Sequence, residues 1–405
     1  MIKLTSRRAA LVLAGGAVAL VGGMLPAQAS TTGWRSVARV SVKGDIALLT
    51  GVAAVAKADA WAVGGAATTK ITKPVGIVEH WTGKSWRRVR LPAAVAKTWN
   101  GYSGLAFPVV GASSATNVWA FSQNLVSGKG SDAYLRLNGR KWTVGTLPGT
   151  SETSSHVVVI TATRVISSKD VWVFGGKLNA ATSTPSFTPY AAQYNGHKWI
   201  HKSIPGAGAV VGVSEISAGN MWAALGTPQL YAGAGISAST PSVAHWNGKA
   251  WAAAPVQPTA AQLPAGADFT SILAARGGHV WIGGGATNAK GGTTEFAAEL
   301  TGSTWKVSPL PATASTSDYA LTSMASDGHG GIWAIASGVA GGSVRIWHMT
   351  GGAWTGPSRP SFGGSNRILF QLAAVPGTSS VWGVGAVQRR ASTDGLIALV
   401  GPTPR

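Results

Sequence analysis

The segment Asp59–Gly65, with the sequence DAWAVGG, decides the fold because its phrase recurs along the chain. Six further copies follow: NVWAFSQ from Asn117, DVWVFGG from Asp170, NMWAALG from Asn220, HVWIGGG from His279, GIWAIAS from Gly331 and SVWGVGA from Ser380. Their tryptophans are 49 to 59 residues apart. A repeat of about 50 residues is typical of one four-stranded unit in a circular array and too long for a short helical repeat.

A second phrase follows each of the first six copies. These phrases are HWTGKSW, RLNGRKW, QYNGHKW, HWNGKAW, ELTGSTW and HMTGGAW, each with a large residue five positions before the tryptophan. Asn-Gly between β-like segments is a strong hairpin signal, because both central residues of the favoured turn need positive φ. We therefore predict a two-residue turn at Thr82-Gly83, with Trp81 opposite Lys84 and Glu79 opposite Trp86. A helix is disfavoured because no sustained 3.6-residue apolar period is present.

Each unit is predicted to contain four antiparallel strands, and seven units make an all-β, seven-bladed β-propeller. The segment Thr32–Arg35 resembles the fourth strand of a unit, whereas the chain after Trp382 supplies only a third strand, Leu396–Val400. The N-terminal strand is therefore predicted to complete the last blade, which removes an open sheet edge. We see no domain boundary, so residues 30–405 are predicted to form a single domain.

Residues 1–29 have the features of a secretory signal peptide. Arg7 and Arg8 precede an uncharged apolar run over residues 9–25, and Ala27-Gln28-Ala29 fits a cleavage site. The paired arginines favour the twin-arginine type, although such pairs also occur in ordinary export signals. An uncleaved anchor is the alternative. We expect the mature protein to be monomeric, without a membrane span, and secreted or associated with the cell wall.

The composition excludes several classes of protein. The chain has 55 glycines without a three-residue period, 18 tryptophans, no cysteine and 45% apolar residues, which excludes collagen-like, disulfide-stapled and disordered chains. Lysine and arginine number 33 against 13 acidic residues, a net charge of +20. Two interpretations stay open: the cations guard sheet edges, or they form a basic belt that binds anionic cell-wall polymers, lipids or extracellular nucleic acid. A dedicated nucleic-acid module is not predicted, because the aromatic residues fall at repeat positions.

An apolar run that ends in Gly-Gly and is followed by an aromatic residue and then Trp resembles the kelch repeat of galactose-oxidase-type propellers. The match is good at Gly64-Gly65 with Trp81 and Trp86, whereas the glycine doublet is lost at Phe121-Ser122. The phrases are more similar to the [DN]-x-W-A-V-G and H-W-[NT]-G-x-x-W repeats of secreted proteins from high-GC Gram-positive bacteria. This resemblance covers the mature chain and implies the fold, but it carries almost no information on activity. The Cys-Tyr cofactor of copper radical oxidases needs a cysteine, which the chain lacks.

Candidate ligand-binding residues come from connections predicted to lie on one face of the ring. Trp99 stands outside the repeat, with Asn100 and Tyr102 beside it. An exposed indole can stack on a sugar ring while the amide hydrogen-bonds; the alternative is an aromatic residue folded back on the blade edge. Further ligand-binding candidates on the same face are Tyr319, Arg359 and Arg367.

Candidate catalytic residues are the carboxylates of the same connections. Glu152, Asp268 and Asp318 come from different blades and could converge at the channel mouth, with His156 as a base near Glu152. Acid and base catalysis on glycosides needs two carboxylates within several ångströms of each other. This chemistry would make the protein a polysaccharide hydrolase or lyase.

No metal site or organic cofactor is predicted. The histidines include no H-E-x-x-H motif, and His197 and His201 lie on either side of Trp199 in a predicted hairpin. The sequence favours a non-catalytic module that binds a cell-wall glycan or another anionic polymer, with a protein partner as a further possibility. The hydrolase or lyase is the alternative.

Overall fold

The computed structural model describes residues 33–43, 46–67, 75–103, 108–122, 131–151, 156–182, 184–228, 240–275, 277–288, 291–311, 318–338, 343–390 and 392–404. The predicted signal peptide, residues 1–29, lies outside this part of the chain, as do Glu152 and the side chain of Tyr102. The described residues form β-strands and one α-helix, α1 (Ala93–Ser103).

The strands follow one another as antiparallel groups of four. The first groups are β2 (Ile46–Ala56), β3 (Asp59–Ala67), β4 (Val75–Trp81) and β5 (Trp86–Arg88); β6 (Val109–Ser114), β7 (Asn117–Ser122), β8 (Ala133–Asn138) and β9 (Lys141–Thr146); and β10 (His156–Ser167), β11 (Asp170–Asn179), β12 (Ser186–Tyr194) and β13 (Trp199–His201). The next are β14 (Ala209–Ser217), β15 (Asn220–Gly226), β16 (Ser242–Trp246) and β17 (Trp251–Ala253), then β18 (Asp268–Ala274), β19 (Val280–Thr287), β20 (Thr293–Thr301) and β21 (Thr304–Ser308). The following group is β22 (Tyr319–Ser326), β23 (Ile332–Gly338), β24 (Arg345–Thr350) and β25 (Ala353–Ser358).

The last strands of the chain pair with the first. β26 (Ser365–Ala374), β27 (Val381–Gln388) and β28 (Thr393–Val400) are antiparallel, and β1 (Arg35–Val40) pairs antiparallel with β28. The predicted pairing of the N-terminal strand with Leu396–Val400 is thus confirmed. A parallel bridge between Ile46 and Thr393 joins this group to β2–β5 in one eight-stranded sheet.

The first strands of the groups meet around a closed ring. Contacts run from β2 to β6, β10, β14, β18, β22 and β26 in this order, and β26 contacts β2. Each of the described 49- to 59-residue repeats therefore places its first strand on the inside and its fourth strand, such as β5 or β13, on the outside. Tryptophans, aliphatic residues and alanines fill the space between neighbouring sheets.

A bulge in the inner strand explains the glycine of the recurrent phrase. The register between β10 and β11 shifts at Thr161, and a Cβ on Gly175 would lie 1.8 Å from the Val159 carbonyl oxygen. Gly64 has the same relation to Leu48, at 1.9 Å. The bulged Thr161 also donates a hydrogen bond to the Val210 carbonyl of the next inner strand. The glycine is therefore required because two backbones approach closely, as is common at bulges.

The predicted hairpin turn is wrong by one residue, which shifts the partner of each strand residue by two. Trp81 lies directly opposite Trp86, and Glu79 lies opposite Arg88, so the central turn residues are Gly83-Lys84. The glycine is the first central residue in all six hairpins, where its φ is positive: Gly83, Gly139, Gly196, Gly248, Gly302 and Gly351. The preceding Asn195 instead accepts hydrogen bonds from the backbone N–H groups of His197 and Lys198. Asparagine thus acts as an Asx turn residue outside the two-residue loop.

Candidate functional site

Trp99 does not lie in an exposed loop, as the ligand-binding hypothesis requires. The segment around it forms the helix α1, and the Trp99 side chain is 0% exposed. It packs in an apolar cluster with Trp61, Val78 and Leu135, between two neighbouring sheets. An indole that is fully covered has no face to offer a sugar ring, so the alternative of an aromatic residue folded back on the sheet describes Trp99.

Asn100 also has a structural contact. Its side-chain oxygen accepts a hydrogen bond of 2.8 Å from the backbone N–H of Gly76, just inside β4. This bond ties α1 to the sheet below it. Sequence reasoning missed the helix because its 11 residues make only about three turns, which is too short for a clear apolar period.

Two of the other candidate residues meet at Ser343. The Tyr319 hydroxyl donates to the Ser343 carbonyl at 3.0 Å, and Arg367 donates to the Ser343 hydroxyl at 3.0 Å. Asp318 precedes Tyr319 and accepts a hydrogen bond of 2.6 Å from the Thr293 backbone N–H. Arg359 is exposed, in the connection that follows β25. The structure therefore brings together Tyr319 and Arg367, whereas the Asp318 carboxylate is bonded to the neighbouring strand β20.

Arg345 is the residue of this cluster that sequence reasoning missed. Its guanidinium lies 3.6 Å from the centre of the Tyr319 ring and binds both oxygens of Glu295, at 2.9 and 3.2 Å. Arg345 is only 2% exposed. A charge with this little exposure needs a paired partner, because desolvation of a lone ion is strongly unfavourable. Arg345 therefore joins the β20 and β24 sheets, and an arginine at the start of a third strand was the available signal.

The remaining catalytic candidates are held apart by their own contacts. Asp268 accepts hydrogen bonds from the backbone N–H groups of Thr227, at 3.1 and 3.2 Å, and of Phe269, at 2.9 Å. Burial raises the pKa of Asp268 in spite of these bonds. His156 is exposed at the start of β10, opposite Asn179. Asp268 and Asp318 are thus bonded to the backbones of different sheets, and their use as an acid and base pair stays a prediction.

None of the carboxylates that the structure describes is exposed: Asp59, Glu79, Asp132, Asp170, Glu215, Asp268, Glu295, Glu299, Asp318, Asp327 and Asp394. Most have named partners within the protein. Asp59 and Asp327 contact His80 and His348, Glu79 contacts Arg88, and Glu299 contacts His279. Burial raises the pKa of Glu215, and the nearby positive charge of Arg164 opposes this increase. The described carboxylates are therefore buried or half-buried.

Most of the described lysines and arginines are exposed, and several of them lie at the same end of the sheets. In a four-stranded antiparallel sheet, the turn between strands 1 and 2 and the hairpin between strands 3 and 4 emerge at the same end. We call this end the hairpin face. In the four sheets formed by β2–β17 it carries exposed cations at Lys57, Lys84, Arg140, Lys141, Lys169, Lys198 and Lys249. The described turns at 302–303, 327–331, 351–352 and 376–380 contain no lysine or arginine.

The position of these cations separates the two interpretations of the charge. Arg87 and Arg88 lie on the outer strand β5, where cations disfavour pairing with another edge. Lys84, Arg140 and Lys249 lie instead at hairpin tips, where no strand edge is exposed. Protection of edges therefore accounts for the outer-strand cations and not for those of the hairpin face.

Among the described ranges, no group of three histidine or acidic side chains is placed to hold a metal ion. Within the same part of the chain, no helix is long and apolar enough to cross a membrane.

Two solved structures are similar to most of this chain. The structure of YCF48 bound to a D1 peptide has a TM-score of 0.55 and 10% identity, over 92% of this chain and 97% of that one. The GH74 xyloglucanase from Xanthomonas campestris has a TM-score of 0.55 and 14% identity, over 88% of this chain and 54% of that one. This chain thus spans about half the length of the xyloglucanase chain. Both are β-propeller proteins.

The chain folds as a β-propeller. At these identities the likeness extends to the fold alone. No protein-family model matches the sequence, and no curated protein is similar to it. The kelch-like type of the repeat therefore stays a prediction, whereas its four-stranded β-sheets are confirmed.

Proposed function

We propose that this protein is a non-catalytic binding module that holds an anionic glycan of the cell wall or extracellular space on its hairpin face. The observation that carries the proposal is the separation of charge. The described carboxylates are all buried or half-buried, whereas Lys84, Arg140, Lys198 and Lys249 are exposed on successive sheets of the ring. Cations spaced along an arc fit a polymer with repeated negative charge better than a small ligand.

The architecture that we propose is a seven-bladed propeller formed by residues 30–405. It is supported by the ring of inner-strand contacts from β2 to β26 and by the pairing of β1 with β28. We further propose that residues 1–29 direct export, so that the mature protein acts as a secreted or wall-associated monomer. Export would bring the hairpin face into contact with anionic polymers outside the cell.

The packing of the aromatic residues favours a glycan over a single-stranded nucleic acid. A peptide-bound propeller and a xyloglucanase are among the similar structures, so the fold is compatible with peptide and glycan ligands. The aromatic residues of the hairpins, such as Trp81 and Trp86, pack against each other and are not presented for base stacking. This arrangement disfavours a single-stranded nucleic acid, which is bound through exposed aromatic platforms.

The experiment measures retention on immobilised dextran sulfate, with neutral dextran as the reference, over a series of salt concentrations. The test variant carries Lys84→Gln, Arg140→Gln, Lys198→Gln and Lys249→Gln together. A matched control removes four exposed cations elsewhere: Lys43→Gln, Lys97→Gln, Arg359→Gln and Arg390→Gln. The slope of log affinity against log salt should fall by about one for each contacting cation that is removed.

We expect the wild type and the control to be retained on dextran sulfate and the test variant to elute early. Equal losses in the two variants would mean that only the net charge matters, which contradicts a specific face. Failure of the wild type to bind at about 0.15 M salt would also overturn the proposal. Thermal unfolding of both variants shows whether either substitution set disturbs the fold.

A further inference from the structure

A hollow lies between the sheets β10–β13 and β14–β17, beside the hairpin that joins β16 to β17. It encloses about 340 Å³ and is lined by Lys202, Ser203, Pro205, Trp246, Lys249, Ala250 and Trp251. Sites of about 300 to 1,000 Å³ accommodate small ligands. The lining contains two lysines, a hydroxyl group and two indoles, and it contains no acidic residue.

Trp251, which lines the hollow, lacks a contact that the hairpin tryptophans of two later blades make. The indole N–H of Trp305 donates to the Val256 carbonyl at 3.0 Å, and that of Trp354 donates to the Ser308 hydroxyl at 3.0 Å. Each of these bonds closes the gap to the outer segment of the preceding blade. At Trp251 the indole nitrogen has no hydrogen-bond partner among the described residues. The preceding outer strand β13 ends at His201, and the chain continues along the hollow.

Lys202 is held in place at one side of this space. Its backbone N–H donates to the Ala191 carbonyl at 2.9 Å, and its ammonium lies 5.6 Å from the centre of the Trp246 ring and 5.9 Å from that of Trp172. These contacts are within the range of cation–π attraction. The ammonium is therefore positioned before a ligand arrives, which reduces the entropy lost when an anion binds.

Lys249 stands across the hollow on the hairpin tip. The side-chain oxygen of Asn247 accepts hydrogen bonds of 3.0 Å from the backbone N–H groups of Lys249 and Ala250, which fixes the turn. The two lysines thus come from adjacent blades and face the same space. The indoles of Trp246 and Trp251 line the hollow together with these lysines. This combination suits a ligand that has an apolar ring surface as well as negative charge.

We propose that this hollow is a subsite for one acidic sugar unit of the bound polymer, with Lys202 and Lys249 contacting its carboxylate or sulfate group. The inference rests on the proposed function, because the hollow lies within the arc of cations on the hairpin face. It adds a specific ring-binding position to what would otherwise be a diffuse electrostatic surface. Trp246 and Trp251 are 5% and 7% exposed, so they would form the floor of the subsite and contact the sugar ring only through the edges that line the hollow.

The test is isothermal titration with three probes: trigalacturonate, neutral maltotriose and tripolyphosphate. The wild type should bind trigalacturonate at least about tenfold more tightly than either of the others, since a charged hydrogen bond and a ring contact are both needed. Lys202→Gln should weaken the binding of trigalacturonate about tenfold, and Lys202→Arg should retain most of it. Lys306→Gln, at an exposed lysine on the outer strand β21, is the matched control and should have no effect.

A second variant tests the space without removing a charge. Ala250→Tyr places a bulky ring at the exposed rim of the hollow and should abolish the binding of trigalacturonate while the melting temperature stays unchanged. Equal affinity for tripolyphosphate, or full binding by Ala250→Tyr, would overturn the sugar subsite. If trigalacturonate fails to bind but dextran sulfate still retains the protein, the subsite is wrong and the proposed function stands. Loss of both overturns both.

Discussion

His348 stacks face to face on Trp333, with ring centroids 3.8 Å apart and planes 1° apart. The two residues lie directly opposite each other on β23 and β24, and the His348 Nε2 atom is 2.9 Å from Asp327. The pair Trp61 and His80 repeats this arrangement at 3.9 Å, with Asp59 as the partner. In both blades, a carboxylate, a histidine and an indole thus hold three parts of the blade together.

Loss of the imidazole should destabilise the protein without affecting ligand binding. His348→Ala removes the stacked ring and the contact with Asp327, and we expect it to lower the free energy of unfolding by about 1 to 2 kcal/mol. His329→Ala is the matched control, because this side chain is exposed in the same turn. Urea unfolding monitored by circular dichroism measures both. Equal stability of the two variants would contradict a structural role for the stack.

Asp327 should make stability depend on acid pH. Burial disfavours its charge, but hydrogen bonds from the backbone of His329, from His348 and from the backbone of Gly331 keep the pKa of Asp327 below its ordinary value. A lowered pKa means that the folded state binds fewer protons than the unfolded one. The stabilisation is therefore complete above the unfolded pKa, near 3.8, and is lost as the pH falls through the folded pKa. The stability difference between wild type and Asp327→Asn should shrink over this range.

Asp268 should show the opposite trend. Burial raises the pKa of Asp268 above its ordinary value, despite hydrogen bonds from Thr227 and Phe269. The folded state therefore takes up a proton at a higher pH than the unfolded chain does. As the pH rises through the folded pKa, this contribution to stability is lost. The stability of the wild type relative to Asp268→Asn should increase as the pH is lowered from 7 to 4, as measured by urea unfolding. A parallel response of the Asp327 and Asp268 variants would contradict these assignments.

The repeat could be predicted from the sequence because its signals are local and occur many times. The Trp61 and Trp86 phrases each predict a strand, and their copies reinforce the assignment. The hairpin turn was misplaced by one residue, and the cross-strand pairing therefore by two, since Thr82-Gly83 and Gly83-Lys84 both satisfy the preference for glycine in a tight turn. The choice between them depends on which cross-strand pair packs best, and Trp81 and Trp86 both contact Trp382 on β27, which is distant in the sequence.

The glycine in the second strand should be intolerant of substitution. Gly175→Ala would place a Cβ 1.8 Å from the Val159 carbonyl oxygen, so one of two paired backbones must move. We expect a loss of about 3 kcal/mol or more, or failure to fold. In the control Gly219→Ala, the nearest atom is 3.8 Å away, and the change should be within about 0.5 kcal/mol. Soluble yield and urea unfolding distinguish them. A fully stable Gly175→Ala protein would show that the bulge can relax.

The candidate site was less predictable, because it depends on which residues the fold covers. Tyr319 and Arg367 were predicted to lie on the same face, but Arg345, which stacks on Tyr319, was not recognised. Its burial comes from contacts between blades that are distant in the sequence. The cations of the hairpin face, such as Lys249, were recognised as a surplus, but their clustering on successive blades became visible only once the turns were aligned by the structure.

Trp99 provides a final test, because its two roles predict different measurements. A side chain that is 0% exposed and packed against Trp61, Val78 and Leu135 contributes to stability, so Trp99→Ala should lower the free energy of unfolding by about 3 to 5 kcal/mol. Retention of the folded fraction on dextran sulfate should be unchanged, since α1 lies away from the hairpin face. Lys97→Ala, at an exposed position of the same helix, should change neither quantity. A stable Trp99→Ala protein with weakened retention would instead restore Trp99 as a contact for the polymer.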